Sequence, residues 1–110
     1  MLRVALRNFA GILFCLVLAL PNYVWAEGDA APIYKANCVV CHAADGSGNS
    51  PSGKALKAKD LRSDEVQKKS DAELVDGVTK GQGKMPGFGK KLKPEQVQQL
   101  VSYVRQLAKK

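Results

Sequence analysis

The strongest hydrophobic periodicity in the chain lies at its C-terminal end. Apolar residues recur there at spacings of three and four, as they do on one face of an α-helix, and they are Val97, Leu100, Val101, Val104, Leu107 and Ala108. Pro94 stands at the start of this pattern, and proline is well tolerated in the first turn of a helix. Lys109 and Lys110 suit the negative end of the helix dipole. The pattern predicts a long amphipathic helix from Pro94, with its apolar stripe in the core.

Shorter helices are predicted in the middle of the chain. Ser70 is followed three residues later by Glu73, which is the spacing of a capping box. The apolar residues after it form one helical face, and they are Leu74, Val75 and Val78. Gly81 is a natural end for this helix. Residues 63–65, Ser-Asp-Glu, could likewise cap a short helical turn.

The segment before these helices begins with another helical pattern. Ala30 to about Cys41 reads as a first helix, because Ala30, Ile33, Tyr34 and Asn37 fall near helical spacing and Pro32 is tolerable in a first turn. Residues 45–53 are rich in Gly, Ser, Asp and Asn, which predicts a loop. No strand-like alternation and no internal repeat is present. The predicted fold class is all-α, with three or more short helices.

Residues 1–26 have the composition of a secretory signal peptide. Arg3 and Arg7 form a basic start, residues 9–20 form an apolar stretch, and Ala26 ends a Val-Trp-Ala cleavage site. That stretch is short for a membrane span, which needs about 20 residues. We expect export to the periplasm, with cleavage before Glu27. The mature domain would then be residues 27–110, a monomer with no membrane span.

Charge and cysteine content limit the functions of this domain. The full chain has 17 Lys and Arg against 10 Asp and Glu. Without residues 1–26 the difference falls to +5. A basic balance can indicate nucleic-acid binding, but export and the lack of interleaved aromatic and basic residues argue against it. Steering toward an acidic protein fits better. Cys38 and Cys41 are the only cysteines after residue 26.

The run Cys38-Val-Val-Cys41-His42 is the attachment signature of c-type haem. Two thiols add across the two haem vinyl groups, and the spacing places the sulfurs about one helical turn apart. His42 follows directly and can bind iron from below the ring. It is the only histidine in the chain, so a haem site would have to use it as the proximal ligand. A covalent haem c would also give a small domain much of its core.

The second axial ligand follows by elimination. The chain has two methionines, and Met1 lies in the segment predicted to be removed. Met85 remains, 43 residues after His42, among glycines and lysines that make a core-filling role a poor fit. His/Met ligation raises the reduction potential, which suits an electron carrier. The sequence therefore predicts Met85 as the sixth ligand.

Three further residues are predicted to support the haem. A metal-bound histidine usually donates its other ring N–H to a carbonyl or a carboxylate, and the carbonyl of Pro51 is the candidate here. Leu56 and Leu61 are isolated apolar residues in a basic stretch and are predicted to touch the haem edge.

A cluster of lysines flanks Met85, and its members are Lys80, Lys84, Lys90, Lys91 and Lys93. Such a cluster can simply be a solvated basic loop that keeps the protein soluble. The alternative is a positive ring around the haem edge that orients docking of acidic redox proteins, the electron donor and acceptor.

Together these residues resemble the class I c-type cytochromes, over nearly all of residues 28–108. The haem motif near the mature N-terminus, Met85-Pro86 before the last helix, and Tyr34 with residues 100–104 carry the resemblance. It implies a cytochrome c-like fold with helices wrapped around one covalent haem, and crossing first and last helices. The family often has Ser, Thr or Asp before the last helix, whereas this chain has Lys93.

Other functions of the motif are less consistent with the sequence. A zinc site needs about four ligands, and only Cys38, Cys41 and His42 are available. A thioredoxin-like site wants a βαβ pattern, which is not seen. An open sixth position would make a gas sensor or a peroxidase-like enzyme, which would want a distal acid–base helper. The domain could also be a fixed subunit of a larger dehydrogenase or oxidase. A one-electron carrier that is not an enzyme is the function predicted here.

Overall fold

The computed structural model describes residues 27–110, and the predicted signal peptide lies outside this range. Six helices follow one another along these residues, and they are α1 (Glu27–Asn37), α2 (Val39–His42), α3 (Pro51–Leu56), α4 (Asp64–Gln67), α5 (Asp71–Lys80) and α6 (Pro94–Leu107). Within 27–110 there is no strand, and the only β-type pairing is an isolated bridge between Gln82 and Met85. The predicted all-α fold class is confirmed.

The C-terminal helix forms as its periodicity predicts. Four stripe residues of α6 are buried, and they are Val97, Leu100, Val101 and Leu107. Ala108 lies just past the end of the helix and is exposed. Lys93 has no acceptor for capping, but the side-chain oxygen of Gln96 accepts a hydrogen bond from the Lys93 N–H at 2.8 Å. The N-terminus is therefore capped from inside the helix.

Helix α1 crosses α6, and this crossing holds the small core. Tyr34, Leu100 and Leu107 form the buried cluster, with partly buried residues such as Ile33 packed against it. The rings of Tyr34 and Tyr103 have centroids 4.9 Å apart and planes tilted by 42°, a favourable aromatic geometry. The expected crossing of the first and last helices is therefore made through a contact between these two tyrosines.

The first helix differs from the prediction in two ways. It begins at Glu27 rather than Ala30, so Pro32 lies in its interior and not in its first turn. The helical run also breaks at Cys38, which is the N-cap of the separate helix α2. The predicted loop 45–53 is wrong at its end, because Ser50 caps α3 and Pro51 occupies its first turn.

Serine caps start the middle helices as predicted. The hydroxyl of Ser63 accepts from the Val66 N–H at the start of α4, and that of Ser70 accepts from the Glu73 N–H at the start of α5. Helix α5 contains no buried residue. Its half-buried apolar face borders a cavity instead of filling the core. No helix among residues 27–110 has the length and apolarity that spanning a membrane requires.

Candidate haem site

The described structure contains a cavity of about 480 Å³, within the size range of cofactor sites. Its walls come from all six helices, the segment after α3 and the loop after α5. Most of the lining is apolar, and it includes Leu56, Leu61, Val66, Leu74, Val78, Phe88, Leu92, Leu100 and Val104. The predicted haem-edge residues Leu56 and Leu61 both border this cavity. Leu56 is 42% exposed, whereas Leu61 also packs against the core.

Cys38 and Cys41 lie at adjacent positions on the cavity wall. The Cys41 N–H donates to the carbonyl of Cys38 at 3.2 Å, so one helical turn separates the two residues. Both thiols are free and half-buried. Burial, and then the neighbouring Cys41, raises the pKa of the Cys38 thiol to about 11. The two thiols therefore face the same apolar space without forming a disulfide.

His42 ends α2 with its side chain buried at the cavity. Its Nδ1 lies 3.0 Å from the carbonyl oxygen of Lys59. Because a carbonyl only accepts hydrogen bonds, Nδ1 carries the proton and Nε2 keeps its lone pair. This arrangement fixes the ring and leaves Nε2 as the nitrogen able to bind a metal.

The predicted partner of His42, the carbonyl of Pro51, is wrong. Pro51 is exposed and begins α3, where a helical carbonyl points along the helix axis toward its own next turn. The carbonyl of Lys59, which lies after α3 in non-helical backbone, takes that place. No sequence signal marks Lys59, since every residue carries a carbonyl group.

Met85 lies on the same cavity, in a tight turn after α5. The N–H of Gln82 donates to the Met85 carbonyl at 3.1 Å, and the Met85 N–H donates back at 2.8 Å. Gly83 has a φ of +54° in this turn, a conformation that glycine adopts without strain. Phe88 N–H bonds the Val78 carbonyl at 2.8 Å. The turn is thus tied to α5, with the Met85 side chain half-buried at the cavity.

Ser50 and Gly53 are site residues that the sequence interpretation missed. The Ser50 hydroxyl accepts from the Gly53 N–H at 2.9 Å and lies 2.8 Å from the Val40 carbonyl. A Cβ at Gly53 would overlap the carbonyl oxygen of Cys41. Ser50-Pro51 is a capping signature that could have been recognised, whereas the need for glycine at 53 depends on how α3 packs on α2.

The lysine cluster around Met85 is exposed but not uniform. Lys80 pairs with Asp76 within α5 at 2.8 Å, and this carboxylate raises the pKa of Lys80. The other four, Lys84, Lys90, Lys91 and Lys93, form no ion pair with any carboxylate of residues 30–110. Lys84 also borders the cavity. Four lysines between residues 84 and 93 therefore carry charges that no described carboxylate neutralises.

The described residues do not support the two alternatives to a haem site, a zinc site and a thioredoxin-like redox site. Among the described residues, no three His, Cys, Asp or Glu side chains are arranged to hold a metal ion. The strands that a thioredoxin-like site would need are missing from 27–110.

Comparison with known proteins agrees with this geometry. The chain matches the family described as "Cytochrome C oxidase, cbb3-type, subunit III" over residues 26–104. It is 39% identical over 82 residues to cytochrome c6 of Microcystis aeruginosa, which covers 74% of this chain and 98% of that protein. It is 33% identical to the "Cbb3-type cytochrome c oxidase subunit FixP" of Azorhizobium caulinodans over 93% of this chain and 34% of the relative.

A solved structure supports the same relationship. The "KustC0563 c-type cytochrome" superposes with a TM-score of 0.64 at 34% identity, covering 72% of this chain and 96% of that structure. The chain belongs to the class I c-type cytochromes. It is a small electron carrier with a single covalent haem c, and it is not an enzyme.

The residues at the cavity fit such a group. Haem is a flat apolar disc with two carboxylate tails, and the cavity is apolar with lysines at its border, including Lys57, Lys59, Lys69 and Lys84. Two thiols, an imidazole with a free Nε2 and a thioether border the same space. This is the donor set of a c-type haem with two axial ligands.

Proposed function

We propose that this protein is a periplasmic one-electron carrier whose haem c is attached through Cys38 and Cys41 and ligated by His42 and Met85. The observation that carries the proposal is that all four side chains border one cavity of about 480 Å³. The haem iron would supply the one-electron couple. We further propose that residues 1–26 are a signal peptide, from their basic start and short apolar stretch.

The residues of the chain would define the properties of this couple. The Lys59 carbonyl orients the His42 ring and raises its basicity through the Nδ1–H bond. Met85 offers a soft, neutral sulfur, which favours ferrous iron. The apolar lining excludes water from the cavity and favours the form of the iron site with less net charge. Met85 and the apolar lining thus raise the reduction potential, whereas the Nδ1–H bond lowers it by making the imidazole a stronger donor to iron.

Covalent attachment is tested by mass spectrometry of the exported protein. Produced together with haem-attachment machinery, it should show residues 27–110 plus one haem, and this mass should survive acid denaturation. The double variant Cys38→Ala with Cys41→Ala should lose the haem. Cys15→Ala is the matched control, because Cys15 lies in the proposed signal peptide and should not affect attachment. A wild-type mass equal to the bare polypeptide would overturn the proposal.

Ligation by Met85 is tested in the visible spectrum. The ferric protein should show a sulfur-to-iron charge-transfer band, and Met85→Ala should abolish it and lower the reduction potential. Lys84→Ala, a change at the neighbouring cavity residue, should keep the band. If the reduced wild type binds carbon monoxide freely, the sixth position is open, and a gas sensor or a peroxidase-like function is favoured instead.

A second candidate is a fixed electron-transfer subunit of an oxidase. The family description and the FixP relative favour it, but FixP is matched over only 34% of its length, whereas cytochrome c6 is matched over 98%. A free carrier should fractionate with periplasmic contents as a monomer. Co-purification with a membrane oxidase at constant stoichiometry would favour the subunit.

A further inference from the structure

The carbonyl that orients His42 belongs to a segment without helical structure. Lys59 lies between α3 and α4, and its side chain is exposed. The direction of its carbonyl therefore depends on how the backbone of residues 57–63 is held. Because the hydrogen bond to His42 is 3.0 Å long, a small rotation of this backbone would weaken it.

The segment is anchored on both sides of Lys59. Before it, the Ala58 N–H donates to the Gly53 carbonyl at 2.8 Å. After it, the Leu61 N–H donates to the Gly46 carbonyl at 2.7 Å. The Leu61 carbonyl in turn accepts from Nε2 of Gln67 at 2.7 Å. Two of these three anchors are hydrogen bonds between backbone groups, and the third is made by the side chain of Gln67.

The orientation of the Gln67 amide is imposed by Arg105 on α6. A guanidinium group has only donors. Nη1 of Arg105 lies 3.3 Å from the side-chain Oε1 of Gln67 and 2.9 Å from the backbone carbonyl oxygen of the same residue. Oε1 must therefore face the arginine, which leaves Nε2 to face Leu61. The second proton of Nε2 is directed toward the Val104 carbonyl at 3.4 Å.

Arg105 is itself held firmly. Its Nη2 donates to the Lys69 carbonyl at 2.6 Å and to Oδ1 of Asp71 at 2.9 Å. The Arg105 side chain is only 25% exposed, so the planar fork cannot swing freely. The guanidinium of Arg105, carried by α6, thus fixes the orientation of the Gln67 amide, because its planar donors can reach all of these acceptors in only one orientation.

We infer that Gln67 and Arg105 are positioning residues for His42, acting through Leu61 and the carbonyl of Lys59. This inference rests on the proposed role of His42 as the iron ligand. The Nδ1–H bond makes the imidazole a stronger donor to iron. Loosening the bond lowers the basicity of the ring, stabilises ferrous iron and raises the reduction potential.

Two charge-conserving variants test the inference in the haem-bound protein. Gln67→Met keeps the length of the side chain and removes both the donor and the acceptor of the amide, and Arg105→Lys keeps the charge but loses the planar guanidinium group. Net charge is unchanged in both, so long-range electrostatics does not shift the potential. Both should raise the reduction potential. Both should also speed solvent exchange of the His42 Nδ1 proton, followed by NMR, by about tenfold, which is what loss of one ordinary hydrogen bond allows.

Ser70→Ala is the control for general destabilisation. Ser70 caps α5 and stands between Lys69 and Asp71, which both bond Arg105, but its own hydroxyl bonds only Glu73. It should lower stability and leave the potential and the exchange rate unchanged. The inference is wrong if Gln67→Met behaves as the wild type in both measurements, or if Ser70→Ala shifts them equally. The mass of the attached haem, measured first, separates this result from failure of the proposed function.

Discussion

At the scale of single residues, close backbone contacts constrain the site as strongly as its ligands do. Gly53 lies inside α3, where alanine would normally be favoured by about 1 kcal/mol. Its Cα faces α2, and a Cβ there would overlap the carbonyl oxygens of Cys41 and Gly48. Packing and helix propensity therefore make opposite demands at this position, and the contact distances show that packing is the stronger of the two.

Gly53→Ala should accordingly lower the free energy of unfolding by about 2–3 kcal/mol, as overpacking does. Ser52→Ala, one position earlier in the same helix, should change it by less than about 0.5 kcal/mol. Denaturant titration of the two haem-bound variants measures the difference. A Gly53→Ala protein as stable as the wild type would mean that α3 can move away from α2 at little cost.

Tyr34 provides a residue-scale test that depends on pH. Its hydroxyl donates to the Ala43 carbonyl at 2.7 Å, and burial, followed by Cys38 and Tyr103, raises the pKa of Tyr34 above its ordinary value. The unfolded chain therefore releases this proton first. The stability that Tyr34 contributes is fully present below about pH 10 and is lost as the pH rises further.

At pH 7, Tyr34→Phe should be less stable than the wild type by about 1 kcal/mol, because one hydrogen bond is lost. Above pH 10 this difference should shrink by about 1.4 kcal/mol per pH unit. Unfolding curves of both proteins between pH 7 and pH 11 measure it. A difference that stays constant over this range would contradict a raised pKa.

At the scale of elements, short helices are joined by side chains that serve two of them at once. Ser50 caps α3 through the Gly53 N–H and also reaches the carbonyls of Val40 and Cys41 on α2, at 2.8 and 3.1 Å. Helices of four and six residues have little stability of their own. Contacts of this kind therefore hold the segment that carries Cys38, Cys41 and His42.

Ser50→Ala should lower the free energy of unfolding by about 2 kcal/mol, from the cap and the contact between helices together. Ser70→Ala, which removes a cap alone, should lower it by about 1 kcal/mol. Thermal or denaturant unfolding of both variants makes the comparison. Equal losses would show that the bond from Ser50 to α2 contributes nothing beyond the cap.

At the scale of the whole molecule, the charges are unevenly distributed. Among residues 30–110, Arg62, Arg105, Lys59 and Lys80 each pair with a carboxylate, whereas the exposed Lys84, Lys90, Lys91 and Lys93 pair with none. A positive region at the border of the cavity would attract anionic partners, and the attraction would weaken as salt screens it.

Electron exchange with small redox complexes tests this electrostatic surface without a known partner. The rate with ferricyanide, an anion, should fall as ionic strength rises, and the rate with hexaammineruthenium, a cation, should rise. Lys84→Glu and Lys90→Glu should slow the reaction with ferricyanide more than Lys109→Glu does, because Lys109 lies beyond the end of α6. If all three substitutions slow the reaction equally, the position of the lysines near Met85 does not matter. The cluster would then contribute only to the net charge or the solubility of the protein.

The haem-attachment motif and most of the helices could be predicted from the sequence, because both depend on the spacing of residues close together in the chain. Cys38, Cys41 and His42 lie within five residues, so one helical turn brings them together. Met85 follows by elimination as the proposed sixth ligand, and Ser63, Ser70 and Pro94 mark helix starts through their own side chains. Ser50-Pro51 is also a local signal for a helix start, and it explains why the carbonyl of Pro51 is not the partner of His42.

Tertiary structure alone decided which carbonyl orients His42. Every residue carries a carbonyl, so the choice of Lys59 depends on where the backbone after α3 comes to lie. That backbone is held through Gln67 by Arg105, which is 38 residues further along the chain. Hydrogen bonds between distant segments leave no periodicity and no motif, because their geometry exists only once α6 has packed against the rest of the domain.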